Sequence, residues 1–190
     1  MANSITKTSP LDGLAKPAGS NVRMEERPFV GKVTLRGNPE DKKFLKAVED
    51  VLGVALPLKP CSFNSGATYT AYWVGPDEWQ IYTPEDGQNA LITALRAALE
   101  GMHSQVVDVS DYYVVIRISG PAAREVLMKG SPLDVHPRAF QAGQVRGTRF
   151  ANATIQLSQV DDAPTFDVQI RWSFAEYLWN YFLEAAREFG

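Results

Sequence analysis

Alternating apolar and polar residues divide much of the chain into short strands. Residues 28–36, PFVGKVTLR, place Val33 and Leu35 on one side of an extended segment, as a strand with one covered face requires. Residues 112–118 are dense in β-branched and aromatic side chains, which also favours a strand. The same criteria predict five more strands, of which the first two form a hairpin around a Gly-Pro-Asp-Glu turn. These five cover residues 68–74, 79–82, 145–150, 154–160 and 165–171.

Apolar residues at helical spacing predict helices between these strands. In the first helix, Asn38 is the expected N-cap, Pro39 the first helical residue and Gly53 the terminator. A second helix follows Asp86 and ends at Gly101. Both helices carry an apolar stripe on one side, so each is expected to cover a sheet.

Two further helices are predicted in the second half of the chain. Pro121 is expected to begin a short helix that ends at Gly130, since glycine can adopt the left-handed conformation just past a helix end. Ser173 and Glu176 have the spacing of a capping box, which predicts that the last helix begins there.

The strand-to-helix connection occurs twice. VTLRGNP at residues 33–39 and IRISGP at residues 116–121 each end a strand on glycine and start a helix with proline. This recurrence indicates a duplicated unit. The predicted fold class is α+β, with two related β-α-β-β-α units and antiparallel sheets. Residues 1–27 are predicted to be an extended arm, residues 28–104 the first unit and residues 105–190 the second, the two units packing as one compact domain.

Composition narrows the function classes. The 190 residues carry a formal charge of −3, which argues against a nucleic-acid or anionic-membrane partner. The single Cys61 excludes an internal disulfide and a cysteine metal site. There is no signal-peptide pattern and no apolar run long enough to cross a bilayer, so a cytoplasmic location is expected.

The residues capable of catalysis form no recognisable constellation. His103 and His136 lack the spacing to other ligands that a metal site would need. Cys61 has only a nearby lysine, so an inert thiol is expected. Asp108 and Asp111 could share acid and base roles, but a turn between two strands is the favoured interpretation. We therefore predict no catalytic, cofactor-binding or metal-binding residues.

Aromatic and arginine residues are the remaining candidates, since they commonly anchor protein interfaces. In the N-terminal segment, Leu11 and Leu14 could dock an extended arm on a partner, although a disordered terminus is the favoured alternative. The predicted interface residues are Leu11, Leu14, Trp73, Tyr113, Arg171, Trp172 and Trp179.

Four ordered segments carry a resemblance to a known family. They are SPLDGL at residues 9–14, WVGPDEWQIYTP at 73–84, SGPAAREVLMKGSPLDVHPRAF at 119–140 and RWSFAEYLWNYFLEAAREFG at 171–190. Together they resemble the gamma subunit of bacterial heterotetrameric sarcosine oxidase, over nearly the whole chain. The resemblance implies a fold similar to the N-terminal region of the aminomethyltransferases.

The resemblance also implies a role. The complex oxidises the N-methyl group of sarcosine, giving glycine, hydrogen peroxide and a one-carbon unit for tetrahydrofolate. Its alpha, beta and delta subunits would be the partners, and these would hold FAD, FMN, NAD and zinc. The gamma subunit is regarded as a non-catalytic structural and assembly subunit, so this chain is expected to bind no cofactor alone.

Two alternatives differ in class. One is a stand-alone folate-dependent enzyme of the aminomethyltransferase type, for which Asp108 and Asp111 are the nearest candidates for a pteridine-binding carboxylate. The other is a small regulatory module that binds a ligand in a cleft between its two units.

Overall fold

Ten strands and four α-helices make up residues 7–190, the part of the chain that the computed structural model describes. The strands are β1 Arg23–Glu26, β2 Gly31–Arg36, β3 Phe63–Ser65, β4 Thr70–Gly75, β5 Glu78–Thr83, β6 Gln105–Asp108, β7 Tyr113–Ser119, β8 Val145–Phe150, β9 Ala153–Asp161 and β10 Thr165–Arg171. The helices are α1 Lys42–Leu52, α2 Gln88–Ala98, α3 Ala123–Met128 and α4 Ala175–Ala186. Short 3₁₀ turns lie at Ser110–Tyr112, Trp172–Phe174 and Arg187–Phe189.

The two halves of the chain have the same topology. The first sheet has the order β3-β4-β5-β2-β6, and the second has the matching order β8-β9-β10-β7-β1. In each, a strand leads into a helix, three antiparallel strands follow, and a second helix ends the unit. The α+β class, the antiparallel sheets and the duplication predicted from the strand-to-helix turns are confirmed.

The fifth strand of each sheet comes from the other half of the chain. β1 directly precedes β2 in sequence but pairs with β7, and β6 directly precedes β7 but pairs with β2. The chain therefore crosses between the sheets twice, at residues 27–30 and 109–112. The prediction that residues 1–27 are an arm is wrong for β1, and the first four residues assigned to the second unit belong to the first sheet. Each sheet is complete only with a strand from the other half.

Four layers result, because each sheet packs on helices with one face and on the other sheet with its opposite face. One core lies between the first sheet and α1 and α2, and a larger one between the second sheet and α3 and α4. Between the sheets, Tyr72 and Tyr82 pack against Val115 and Val145. The period of two in each strand sends alternate residues to a helix or to the opposite sheet.

The edges of the two sheets also meet at one point. The Phe63 N–H donates to the Gly143 carbonyl at 3.1 Å, and the Val145 N–H donates to the Cys61 carbonyl at 3.0 Å. This contact joins the start of β3 to the start of β8.

Helix α1 begins three residues later than predicted. Asp41 is the N-cap, its carboxylate accepting from the Lys43 N–H at 2.8 Å, whereas Asn38 closes a turn by accepting from the Glu40 N–H. The predicted terminator is confirmed, since Gly53 is left-handed with φ of 65°.

Two other predicted helix signals are wrong, and α3 begins at Ala123, two residues after the predicted start at Pro121. Gly130 is not left-handed; a Cβ there would lie 2.6 Å from the Phe150 ring, so packing is the reason for this glycine. The Ser173–Glu176 capping box does not form, because the Trp172–Phe174 turn precedes α4 and the Ala175 N–H donates to the Trp172 carbonyl.

Candidate functional site

The layer between the two sheets holds most of the buried polar side chains. Lys32, Gln80, Ser158, Asp167 and Gln169 are each at most 5% exposed. Each alternates along its strand with apolar residues that face the helices, so these polar side chains face the opposite sheet. Buried polar side chains can form either a ligand or catalytic site or a structural network. The hydrogen-bond partners of these residues distinguish the two.

Asp167 is the centre of an ion cluster in this layer. Its carboxylate accepts two hydrogen bonds from Arg117, at 2.7 Å from Nε and 2.9 Å from the terminal nitrogen, and one from Arg27 at 2.8 Å. The hydrogen bond to Asp167 is the main reason that the pKa of Arg117 is raised. Because Arg27 lies in the first crossing segment and Arg117 on β7, Asp167 on β10 fastens the exchanged strand. Its oxygens are fully used by these contacts, which leaves no free base here.

Tyr72 and Tyr82 form the neighbouring part of the layer. Burial raises the pKa of both phenols, so both stay neutral at physiological pH. The Tyr82 hydroxyl donates to the Gln169 side chain, whose amide in turn donates to Gln156 at 3.3 Å. These groups satisfy one another and position the two sheets.

Lys32 is buried where the two crossing segments meet. Its Nζ donates to the Val30 carbonyl at 2.7 Å and to the Ser110 carbonyl at 3.3 Å, so it links both segments. Burial lowers the pKa of Lys32 to about 8, while the negative charge of Asp111 opposes the shift. The adjoining cavity measures about 40 Å³, enough for water but not for a substrate. Lys32 therefore stabilises the packing of the two halves of the chain against each other.

The lowered pKa of Lys32 predicts a pH dependence of stability. The unfolded chain binds a proton with a pKa of 10.5, whereas folded Lys32 has lost its proton above about 8. The free energy of unfolding should therefore rise with pH in this window, by up to about 2 kcal/mol between pH 7 and 9.5. Urea titrations should find this rise in the wild type and not in Lys32→Met.

A surface lysine provides the matched control for that measurement. Lys46 pairs with Asp50 four residues along α1 and is well exposed, so Lys46→Met should keep the pH dependence of the wild type. A Lys32→Met protein with an unchanged slope would show that another group titrates.

Asp108, Asp111 and Cys61 occupy ordinary structural positions. Asp108 accepts from the Ser110 backbone N–H at 2.9 Å and from its hydroxyl at 2.6 Å, which confirms the turn interpretation. Asp111 is exposed in the same turn, and Cys61 lies at the contact between β3 and β8. Within residues 7–190, no group of three or more histidine, cysteine or acidic side chains could hold a metal ion.

Three of the sequence-predicted interface residues pack inside this chain. Leu11 is 5% exposed in the core of the second sheet, and Leu14 packs on the same core. Trp179 is 2% exposed, and its Nε1 donates to the Ala15 carbonyl at 2.7 Å. The N-terminal segment from Leu11 to Ala15 is therefore docked on α4 of its own chain, not presented to a partner through these side chains.

The other four lie around one end of the two sheets. A cavity of about 270 Å³ is lined by Trp73, Tyr113 and Arg171, and a shallow depression beside it is lined by Arg171 and Trp172. Two residues absent from the predicted set belong to the same region. We call this region the aromatic–arginine surface and define it as Trp73, Val74, Tyr112, Tyr113, Arg171 and Trp172.

The ring contacts of this surface could not be read from the strand pattern. Tyr112 lies in the 3₁₀ turn, not in β7 as predicted, and its ring meets the ring of Tyr113 edge-to-face with centroids 4.7 Å apart. The Arg171 guanidinium lies 5.4 Å from the centroid of Tyr112. The sequence signal for this surface is the density of aromatic residues in the predicted strands at residues 68–74 and 112–118.

Sequence comparison relates the chain to a known protein family. The pattern of the family described as "Sarcosine oxidase, gamma subunit family" matches residues 36–188. The chain is 33% identical to the sarcosine oxidase subunit gamma of an Arthrobacter species, over 97% of this chain and 92% of that protein.

Solved structures agree with these matches. A chain of the heterotetrameric sarcosine oxidase from Corynebacterium sp. U-96, in complex with pyrrole 2-carboxylate, superposes with a TM-score of 0.87 and 30% identity, over 96% of both chains. The glycine cleavage system aminomethyltransferase T from Bartonella henselae superposes with a TM-score of 0.65 and 13% identity, over 88% of this chain and 47% of that one. The second match shows a likeness of fold. Within residues 7–190, no helix has the length and apolar composition needed to span a membrane.

Proposed function

Since the chain belongs to the sarcosine oxidase gamma subunit family, we propose that it is the non-catalytic structural and assembly subunit of a heterotetrameric sarcosine oxidase. The complex would demethylate sarcosine oxidatively to glycine, with hydrogen peroxide and a one-carbon unit for tetrahydrofolate as the other products. Alpha, beta and delta subunits would be the partners, in the cytoplasm. FAD, FMN, NAD and zinc would be held by those subunits.

One observation carries the non-catalytic part of the proposal. Two buried charged groups between the sheets already have hydrogen-bond partners: Asp167 accepts from two guanidinium groups, and Lys32 donates to two backbone carbonyls. A general base or nucleophile needs an available lone pair beside space for a substrate. Asp167 and Lys32 instead hold the two sheets together.

The acidic residues do not fit a folate site. Asp108 spends its carboxylate on Ser110, and Asp111 is exposed in the turn beyond it. Asp167 is buried, and both of its carboxylate oxygens accept hydrogen bonds from Arg27 and Arg117. A pteridine ring requires a carboxylate at the wall of a concave pocket. Asp111 borders only a cavity of about 40 Å³ and a shallow depression, and Asp108 and Asp167 are engaged by other groups. This argues against the stand-alone folate enzyme.

Reconstitution of the complex tests the proposal. With all four subunits co-expressed and an affinity tag on this chain, we expect the other three to co-purify and sarcosine-dependent peroxide production to follow. Omitting this chain should reduce the yield of assembled oxidase at least about tenfold, because a docking contact worth roughly 1.4 kcal/mol or more is lost. The isolated chain should hold no stoichiometric flavin.

Two outcomes would contradict this function. Stoichiometric flavin or folate on the isolated chain would identify it as a cofactor-binding protein. Full assembly and activity of the other three subunits without it would remove the assembly role. The isolated chain should also fail to accelerate one-carbon transfer to tetrahydrofolate, which separates the proposal from the transferase alternative.

A further inference from the structure

Exposed hydrophobic side chains are concentrated on the aromatic–arginine surface. Val74 is 43% exposed, Tyr112 48% and Trp172 43%, and they make up three of the seven large exposed hydrophobics among residues 7–190. Tryptophan, tyrosine and arginine are the residue types most enriched at energetically important interface positions. A cluster of such groups on one end of a domain indicates a binding surface.

Arg171 places a positive charge on this surface. Its guanidinium lies over the Tyr112 ring, and no carboxylate of residues 7–190 lies within 4.0 Å of its nitrogen atoms. Asp111 lines the same depression without forming an ion pair. Covering a guanidinium without a counter-charge is costly, so whatever docks here must bring an acceptor. An acidic side chain is the best acceptor, because a carboxylate can take two parallel hydrogen bonds from arginine.

The geometry of the surface is fixed before anything binds. Arg171 is the last residue of β10 and lies opposite Tyr113 on β7, so the sheet sets its position. The edge-to-face contact of Tyr112 with Tyr113 holds the aromatic platform. Rigid anchors lose little conformational entropy on association, which favours a stable contact.

The cavity behind Arg171 suits a side chain of a partner. It has a volume of about 270 Å³, and its walls include the polar side chains of Thr154, Gln156 and Gln169 next to Trp73. Polar side chains and aromatic rings lining the same cavity match an acidic residue flanked by apolar ones. The space accommodates one inserted side chain and not a second domain.

We propose that the aromatic–arginine surface is the site where another subunit of the oxidase docks, and that this subunit places a carboxylate against Arg171 and an apolar side chain against Trp172. This inference rests on the proposed function, because it requires an assembly with other subunits. It goes further in naming the face used and the chemistry of the contacting groups.

Charge and ring substitutions in the co-expressed complex test the docking surface. Arg171→Glu and Trp172→Ala should each weaken association of the tagged chain with its partners by at least about tenfold, the effect of removing a central interface anchor. Arg171→Lys should lose less than Arg171→Glu, since it keeps the charge but not the bidentate geometry. Native mass spectrometry across a dilution series gives the fraction assembled.

Matched variants separate docking from folding. Arg138→Glu makes the same charge change at an exposed loop position, and Met128→Ala truncates a side chain that is 63% exposed on α3. Both should assemble like the wild type. Circular dichroism of Arg171→Glu and Trp172→Ala should retain the unfolding transition of the parent chain.

The possible failures are distinct. If the wild-type chain does not co-purify with the other subunits, the proposed function itself is wrong. If the wild type assembles and both surface variants assemble equally well, only the docking surface is wrong. If sedimentation shows that the wild-type chain alone dimerises and that Arg171→Glu abolishes the dimer, the occupant is a second copy, and the proposed occupant is overturned.

Discussion

Replacing Asp167 by asparagine is expected to lower the free energy of unfolding by about 3 kcal/mol. The change keeps the size of the side chain but removes the negative charge shared by Arg27 and Arg117. The asparagine amide group would point its hydrogens at a guanidinium, so at least one hydrogen bond becomes a repulsive contact. Arg27 and Arg117 are 35% and 26% exposed, so water relieves part of the cost and the estimate stays at the lower end for a broken buried pair.

A surface ion pair controls for the loss of a charge alone. Asp77 pairs with Arg36 at 2.7 Å, but the Asp77 side chain is 52% exposed. Asp77→Asn should change stability by less than about 1 kcal/mol. Urea titrations that follow the buried tryptophans would measure both variants, with the m-value checking that the transition stays two-state. Equal effects of the two substitutions would show that the inter-sheet cluster adds nothing beyond a surface pair.

The sequence predicts the repeated framework well, because that framework depends on local patterns. The alternation in residues 28–36 and the apolar stripe before Gly53 are properties of neighbouring residues, and β2 and α1 follow from them. The two strand-to-helix turns, each containing a glycine and a proline, predict the duplication by themselves. Both turns connect a central strand to its helix, where backbone requirements are strictest.

Strands β1 and β6 could not be predicted in the same way. Each has only four residues, RMEE and QVVD, and each is completed by pairing with a strand from the other half of the chain. Nothing in a four-residue pattern identifies a partner roughly 70 to 95 residues away. The exchange of strands, and with it the assignment of Arg27 to the ion cluster, is a tertiary property.

The predicted interface residues show the same contrast between what a local pattern predicts and what tertiary structure decides. Aromatic and arginine side chains are candidates by residue type, and type alone does not distinguish a core position from a surface one. Trp179 lies on the buried stripe of α4, whereas Trp172 lies in the turn before that helix, where no opposing layer covers it. A shift of seven residues along one segment decides between burial and exposure.

Gly120→Ala is the second substitution expected to have a large effect, again about 3 kcal/mol. Gly120 has φ of 110°, and a Cβ there would lie 2.5 Å from the Asn21 carbonyl oxygen. Asn21 has little freedom to move, because its carbonyl already accepts from the Ala122 N–H at 3.1 Å and the next residues lead into β1. The strain is therefore transmitted to the exchanged strand.

Gly143→Ala separates the cost of positive φ from the cost of the close contact. Gly143 also has positive φ, at 81°, but no atom lies within 4 Å of its Cβ position, so this substitution should cost only about 1 kcal/mol. Thermal unfolding of both variants would measure the difference, and equal losses would mean that backbone conformation alone, without the close approach of Asn21, explains the glycine at position 120.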